Sequence, residues 1–221
     1  MEADLATGVI RQSLTMTQGP FSDAFDQLGS YVDMSETVTF QGTGSAQFTA
    51  DLTGLFTGSP VANFAYDYYL FTLFAWDEVA GKDITANLSL YNKFSGLESN
   101  VNCGSSWGLG VVGCAETSLE LDNIDYTLSL LLNDIYDGQK IQFTISTQAG
   151  VYSGSNGGVD FGNTAHIGLT TSNGVTWESE SGVFLSAASN PPEADVPEPS
   201  IIALFGLGLV GLGFARRRRQ A

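Results

Sequence analysis

Few side chains in this 221-residue sequence could carry out chemistry by themselves. His166 is its one histidine, and a catalytic histidine would need a nucleophile and an orienting acid beside it. No G-x-S-x-G motif supplies such a nucleophile. His166 alternates with Ile167 in the segment AHIGLTT, residues 165–171, which indicates a position facing solvent or a polar edge rather than a catalytic centre.

Acidic residues beside aromatic residues offer a second chemistry, because glycoside hydrolysis uses two carboxyl groups. The candidates are Asp77, Glu78, Glu178 and Glu180. The distance between two carboxyl groups cannot be read from one sequence, and acids near aromatic residues are common on an acidic surface. We therefore expect that the protein is not an enzyme.

Two kinds of binding are also conceivable from the residue types. Sugar rings could stack on aromatic side chains, although large aromatic residues more often fill a core; the candidates are Tyr66, Tyr68, Tyr69, Trp76, Trp107 and Trp177. A structural calcium ion is the alternative, with oxygen ligands from Asp122 and Asp125 or from Asn133, Asp134 and Asp137. The second group lacks the spacing of a calcium-binding loop. We expect no cofactor, and calcium stays a secondary hypothesis.

The two cysteines, Cys103 and Cys114, lie in the Gly/Ser-rich stretch NCGSSWGLGVVGCAE, residues 102–116, which is typical of a turn or an exposed loop. With no histidine nearby they make a poor zinc site. A disulfide that closes this loop is the favoured use in an oxidising compartment, and two unpaired thiols are the alternative.

The elements that position these residues are predicted to be β-strands. Alternation is clearest in KIQFTIST, residues 140–147, where Ile141, Phe143 and Ile145 share one face. Similar segments are QSLTMT, ETVTF, SAQFTADL, ITANLSLY, IDYTLSL, AHIGLTT and GVFLSA. The hydrophobic run at 63–78 predicts a central strand or two adjacent strands. No helical periodicity precedes residue 195, so the pattern predicts an all-β, antiparallel two-sheet sandwich with jelly-roll-like topology.

Charge is distributed unevenly along the chain. Residues 1–195 hold four basic and 23 acidic side chains, a net charge of −19, and four of the eight basic residues are Arg216, Arg217, Arg218 and Arg219. A body this acidic repels phosphate backbones, so we expect no nucleic-acid partner.

The C-terminal 26 residues, VPEPSIIALFGLGLVGLGFARRRRQA, have three parts. The first is the end of a Pro-rich linker at 189–200, which contains Pro197, Glu198 and Pro199. An apolar stretch at 201–215 would form a helix of about 22 Å, a minimal membrane span. The arginines at 216–219 would stay on the cytoplasmic side. The residues expected in the membrane are Ile201, Ile202, Leu204, Phe205, Leu207, Leu209, Val210, Leu212 and Phe214.

These three parts, at 196–219, resemble the PEP-CTERM sorting signal of Gram-negative bacteria that make exopolysaccharide. The resemblance implies that the tail holds the protein in the inner membrane until an exosortase processes it near Pro-Glu-Pro, and that the protein is then released to, or attached at, the cell surface. Phe21, Asp23 and Phe25 also fit the F-x-D-x-F pattern of one subgroup, and residues 159–188 are similar to the closing segment of many such proteins. An ordinary short C-terminal anchor is the alternative.

The N-terminal sequence MEADLATGVIRQSLTMTQGP lacks the basic and apolar regions of an export signal. Since the tail has no use in a cytosolic protein, we expect that translation starts further upstream and that Met1 is internal to the precursor.

The sequence therefore predicts three regions: an exported β-sandwich at 1–188, the linker at 189–200, and a short transmembrane helix with an Arg-rich cytoplasmic tail at 201–221. The expected function is a structural or adhesive role in an exopolysaccharide biofilm or floc. The expected partners are an exosortase, the inner membrane and exopolysaccharide. The alternative is a carbohydrate-binding module, or a glycan-active enzyme, delivered by the same tail.

Overall fold

The computed structural model describes residues 2–15, 27–58, 66–93, 95–106, 108–152 and 157–185, with only the backbone described at 27, 101–106, 152 and 162–164. The predicted linker, membrane span and arginine cluster at 189–221, and the F-x-D-x-F residues at 21–25, lie outside these ranges.

Within the described residues the chain forms twelve β-strands and no helix, as the alternating pattern predicts. The strands are β1 (Glu2–Asp4), β2 (Val9–Thr15), β3 (Gln27–Gln41), β4 (Gly44–Thr57), β5 (Tyr66–Asp77), β6 (Lys82–Lys93), β7 (Gly96–Ser106), β8 (Gly110–Glu120), β9 (Asn123–Ile135), β10 (Lys140–Tyr152), β11 (Gly158–Thr171) and β12 (Thr176–Ser179).

The strands form two six-stranded antiparallel sheets. Sheet I has the order β1-β2-β11-β4-β9-β8, and sheet II has the order β12-β3-β10-β5-β6-β7. Consecutive strands mostly alternate between the sheets, so that β2-β11-β4-β9 faces β3-β10-β5-β6 in the interleaved order of a jelly roll. The expected two-sheet antiparallel architecture is confirmed.

One hydrophobic core fills the space between the sheets. Ile141, Phe143 and Ile145 all point into it, as their alternation predicts. Aromatic rings join the two layers: the ring centroids of Phe48 in sheet I and Phe143 in sheet II are 4.4 Å apart. Tyr69 of β5 lies 3.7 Å from Phe161 of β11 in a parallel stack. These contacts supply packing specificity beyond the apolar area that they bury.

Strand β5 is central in sheet II, as the hydrophobic run predicts. It pairs with β10 on one side and with β6 on the other. The pairing with β6 extends over the whole strand, from Tyr66 to Asp77. Both of its edges are therefore hydrogen-bonded, and neither is open to pairing with another chain.

The predicted strand GVFLSA is wrong where the structure describes it. The last strand in the described residues is β12, and residues 180–185 form turns and irregular backbone in which Phe184 and Leu185 are both buried. Two consecutive buried side chains do not fit a strand, whose side chains alternate between faces. The Leu185 amide donates to the Leu5 carbonyl at 2.8 Å, and the Ser181 amide donates to Glu36 Oε1 at 3.1 Å. Residues 180–185 therefore join elements of both sheets.

The prediction of an exposed cysteine loop is also wrong. Cys103 lies in β7 of sheet II and Cys114 lies in β8 of sheet I, so the stretch crosses between the sheets instead of forming a long loop. Its glycines are needed for close strand packing: a Cβ atom at Gly110 would lie 1.9 Å from the Leu131 carbonyl oxygen, and one at Gly113 would lie 2.5 Å from Ser129 Oγ. Glycine in a strand commonly marks such a close approach.

Cys114 packs against the core and is bonded rather than free. The side chain of Cys103 lies outside those that the structure describes, so its pairing with Cys114 stays a prediction. A bond between them would join two edge strands, β7 of sheet II and β8 of sheet I.

We predict that oxidation lowers the intact mass of the chain by two hydrogens and that the variant C103S/C114S loses about 3 kcal/mol of unfolding free energy, because the bond restricts the unfolded chain. Mass spectrometry with and without reductant, followed by urea unfolding, measures both quantities. Equal masses under the two conditions would contradict the pairing.

Two buried tyrosines are held in the neutral form. Burial raises the pKa of Tyr69 far above its ordinary value. Burial, together with the hydrogen bond that its hydroxyl donates to Glu116, raises the pKa of Tyr126 to about 12. A raised pKa in the folded state contributes stability that is complete below the unfolded value near 10 and is lost above it.

We therefore predict that the unfolding free energy falls between pH 10 and 12, by up to about 1.4 kcal/mol per pH unit for each of these tyrosines. Urea unfolding at several pH values in this range measures the unfolding free energy. For Tyr126→Phe it should fall less steeply with pH than for the wild-type chain. Tyr31→Phe is the matched control, because Tyr31 is 58% exposed. A slope unchanged by Tyr126→Phe would contradict the assignment.

Candidate functional site

The outer face of sheet II carries an unusual run of apolar side chains along β5. Because Tyr69, Phe71 and Leu73 point into the core, the alternate residues of the same strand face outward. These outward residues form what we call the β5 row: Tyr66, Tyr68, Leu70, Thr72, Phe74 and Trp76. All except Tyr68 are partly exposed.

One end of the β5 row is a tyrosine cluster. The ring of Tyr68 lies against Gly150 of β10, where an added Cβ atom would be 2.2 Å from it. Gln148 Nε2 donates to the Tyr68 hydroxyl at 3.0 Å, which holds the ring in place. The ring centroid of Tyr66 is 6.1 Å from that of Tyr68 and 5.9 Å from that of Tyr91 on β6. Only glycine at position 150 allows this arrangement.

Polar residues flank the row on both sides. On β10, Gln142, Thr144, Ser146 and Gln148 lie opposite Trp76, Phe74, Thr72 and Leu70. On β6, the residues opposite the same four are Asp83, Thr85, Asn87 and Ser89. Many of these groups are tied together across strands, as in the bond from Thr72 Oγ1 to Asn87 Oδ1 at 2.8 Å and the bond from Gln142 Nε2 to Ser35 Oγ at 3.0 Å.

The other end of the β5 row opens into a cleft of about 410 Å³. Its lining combines an indole, two carboxylates, an ammonium, an amide and a hydroxyl, from Trp76, Glu78, Glu180, Lys140, Gln142 and Thr37. Strands β3, β5 and β10, the turn between β5 and β6, and the chain that follows β12 supply these residues. The cleft can therefore offer an aromatic face together with both donors and acceptors of hydrogen bonds.

The structure separates the four acidic candidates. Asp77 is buried, and its carboxylate accepts hydrogen bonds from the Val79 and Ala80 amides at 3.0 and 2.9 Å and from Gln139 Nε2 at 2.7 Å. It therefore closes the β5–β6 turn. Glu78 and Glu180 line the cleft beside Trp76. Glu178 is exposed on β12.

His166 lies far from this face, in the middle of sheet I. It is exposed, as predicted, and stands opposite Asp51 of β4. The Asp51 carboxylate accepts a hydrogen bond from Thr127 Oγ1 at 2.7 Å, which is a cross-strand contact of the surface.

The calcium candidates have structural roles or lie apart. Asp137 Oδ1 accepts a hydrogen bond from the Gly42 amide at 2.9 Å. Asp134 has a left-handed backbone conformation, with φ of 58°, at the point where the pairing of β9 with β4 is irregular. Among the described residues, no three His, Cys, Asp or Glu side chains are grouped to hold a metal ion.

The aromatic candidates divide between core and surface. Tyr66, Tyr68 and Trp76 share the outer face of sheet II, whereas Tyr69 is in the core and Trp177 packs against Phe184 with their rings 6.0 Å apart. Trp107 lies outside the described residues. The sequence reading missed Leu70, Phe74 and Tyr91, although strict alternation within 66–76 would have placed the first two on the same face as Trp76.

The two outer faces of the sandwich differ in composition. On sheet I the outward side chains that the structure describes are mainly Thr, Ser and Asp, with Val111 and Leu131 as exposed aliphatic residues and no aromatic among them. Both faces belong to the same fold, so the aromatic residues of sheet II are not a general requirement of this sandwich.

These features define the class: the described part of the chain is an all-β, two-sheet sandwich protein. Residues 195–219 match the family model of the PEP-CTERM protein-sorting motif. The chain therefore carries a PEP-CTERM sorting motif, as expected of an exosortase substrate, and the resemblance seen in the sequence is confirmed. No curated protein and no solved structure matches the chain.

The motif supports an exported protein that is held transiently at the membrane and processed there by an exosortase. In the part of the chain that the structure describes, no helix has the length and apolar character to cross a membrane. The span expected at 201–215 lies outside that part.

We predict that Asp77→Ala lowers the unfolding free energy by about 2–4 kcal/mol, because it leaves three donors without their acceptor. Glu78→Ala is the matched control at the next position and should change it by less than about 0.5 kcal/mol, since Glu78 is exposed. Urea unfolding of both variants measures the difference. Equal stability of the two would contradict the structural role of Asp77.

Proposed function

We propose that this chain is a surface protein that, once processed, works without catalytic turnover as a structural or adhesive component of an exopolysaccharide biofilm or floc around a Gram-negative cell. The observation that carries the proposal is the PEP-CTERM sorting motif at 195–219. Exopolysaccharide is the proposed partner of the exported body.

Each part of the tail has a proposed physical role. The arginines at 216–219 hold the C-terminus in the cytoplasm, because clustered cationic side chains resist transfer across the membrane. The apolar residues 201–215 hold the chain in the bilayer during sorting. We expect Pro197 and Pro199 to keep the backbone around Glu198 out of regular secondary structure and so accessible to a peptidase, because proline disfavours helix and strand.

The body suits a hydrated extracellular matrix. Its net charge of −19 over residues 1–195 keeps copies apart and soluble. The extensive hydroxyl and amide groups on the outer strands offer hydrogen bonds to a polar polymer. The non-catalytic role is supported by the structural use of Asp77, the acidic candidate that is most buried.

The experiment follows the fate of the tail in the native host. We predict that Glu198→Ala leaves membrane insertion intact but blocks maturation, since the Pro-Glu-Pro motif loses its charged side chain. Glu193→Ala, in the same linker but outside the matched residues, is the control and should mature normally.

Intact mass spectrometry of protein recovered from membranes, cell surface and culture medium measures the outcome. The wild-type chain should end near residues 196–200 at the surface or in the medium. Normal maturation of Glu198→Ala would remove Pro-Glu-Pro from the mechanism. A wild-type chain that still ends at Ala221 in the membrane would mean a permanent anchor, and the proposal would be wrong.

A further inference from the structure

We infer that the outer face of sheet II binds a neutral polysaccharide. Its sugar rings lie along the β5 row, and its end or a branch enters the cleft beside Trp76. The inference deepens the proposed function by naming the binding surface and the charge class of the glycan, and it relies on that function only for the choice of a polysaccharide as the ligand.

The spacing and exposure of the β5 row are the first argument. Outward residues of one strand recur about every 6.6–6.8 Å, so the row sets its apolar side chains in one line, with the polar Thr72 between Leu70 and Phe74. Leu70, Phe74 and Trp76 remain partly exposed even though they belong to the central strand of the sheet. Sugar rings have apolar C–H faces that pack on flat aromatic side chains, and a polymer of them is itself linear.

The polar flanks are the second argument. A sugar ring that stacks on an aromatic face directs its hydroxyl groups sideways, and on both sides of the row the neighbouring strands present Ser, Thr, Asn and Gln, with Asp83 opposite Trp76. The hydroxyl and amide groups can donate and accept hydrogen bonds without a net charge, and the Asp83 carboxylate can accept them. Protein–protein interfaces are depleted of serine and aspartate, and Ser89, Ser146 and Asp83 all flank the row, so this composition favours a glycan over a second copy of the chain.

Preorganisation is the third argument. The Tyr68 ring packs on Gly150, and its hydroxyl accepts a hydrogen bond from Gln148. Thr72 of the row is already paired with Asn87, and Gln142 on the flank is already paired with Ser35. Binding to side chains that are already ordered loses less conformational entropy. The surface is therefore arranged before any ligand arrives.

Charge decides between kinds of glycan. The cleft contains Glu78 and Glu180 against one Lys140, and residues 1–195 carry a net charge of −19. Lys93, opposite Tyr66 at the far end of the row, is paired with Glu98 at 2.5 Å. A polyanionic polysaccharide would be repelled by this field, whereas a neutral one is not, and carboxylates can accept hydrogen bonds from sugar hydroxyls.

The test is affinity electrophoresis of the full-length chain, kept soluble in a detergent without a sugar headgroup. Native gels contain a soluble mixed-linkage β-glucan, dextran or alginate. The variant F74A/W76A removes two platforms, and V111A/L131A is the matched control because Val111 and Leu131 are 57% and 37% exposed on the outer face of sheet I. Urea unfolding checks that both variants fold.

We expect at least one of the two neutral glucans to retard the wild-type chain and the control variant, and alginate to have no effect. F74A/W76A should weaken that retardation about tenfold or more, as truncation of a central aromatic contact does. If F74A/W76A does not fold, tryptophan fluorescence replaces the gel assay. Glucan should then change the emission of the wild-type chain, and the change should be smaller in Trp76→Phe.

Four results would overturn the inference: no retardation by either neutral glucan, equal retardation of F74A/W76A and V111A/L131A, stronger retardation by alginate, or a dimer that dissociates in F74A/W76A without any glucan binding. None of these bears on tail processing. A failure of the binding site and a failure of the proposed function are therefore separate observations.

Discussion

Strand β5 is central in sheet II and apolar on both of its faces, and this constraint shapes the rest of the sandwich. Its inward side chains Tyr69, Phe71 and Leu73 reach the core, where Tyr69 stacks on Phe161 of the opposite sheet. The outward side chains have no second layer above them in the described part of the chain. A strand of this kind stabilises the fold with one face and leaves an apolar row on the other.

The ends of β5 show how the fold secures this strand. Near one end, the Asp77 carboxylate is buried and takes hydrogen bonds from two turn amides and from Gln139 of the segment before β10. Near the other, Tyr68 lies on Gly150 of β10. An acid that looks catalytic in the sequence is thus a structural acceptor, and a tyrosine that looks like a binding platform is mostly a support for its neighbours.

The difference between the two outer faces connects the fold to function. Sheet I shows mainly threonine, serine and aspartate to solvent, whereas sheet II adds an aromatic row and a cleft. Stability of the sandwich requires only the inward faces, so the outward aromatic residues have a cost in solubility that a hydrophilic protein can avoid. A sorting motif on the same chain agrees with a body whose use lies in its surface.

The sequence by itself determined the all-β class, the central position of 66–77 and the sorting motif, because a period of two and a contiguous tripartite tail are local properties. It misplaced Cys103, Cys114 and the segment GVFLSA. Glycine at 110 and 113 serves close strand contact, and Phe184 and Leu185 are buried by packing across both sheets. Only the tertiary structure separated Asp77 from Glu78 and brought Glu180 beside Trp76, because residues about 100 positions apart meet only through the order of strands in the sheet.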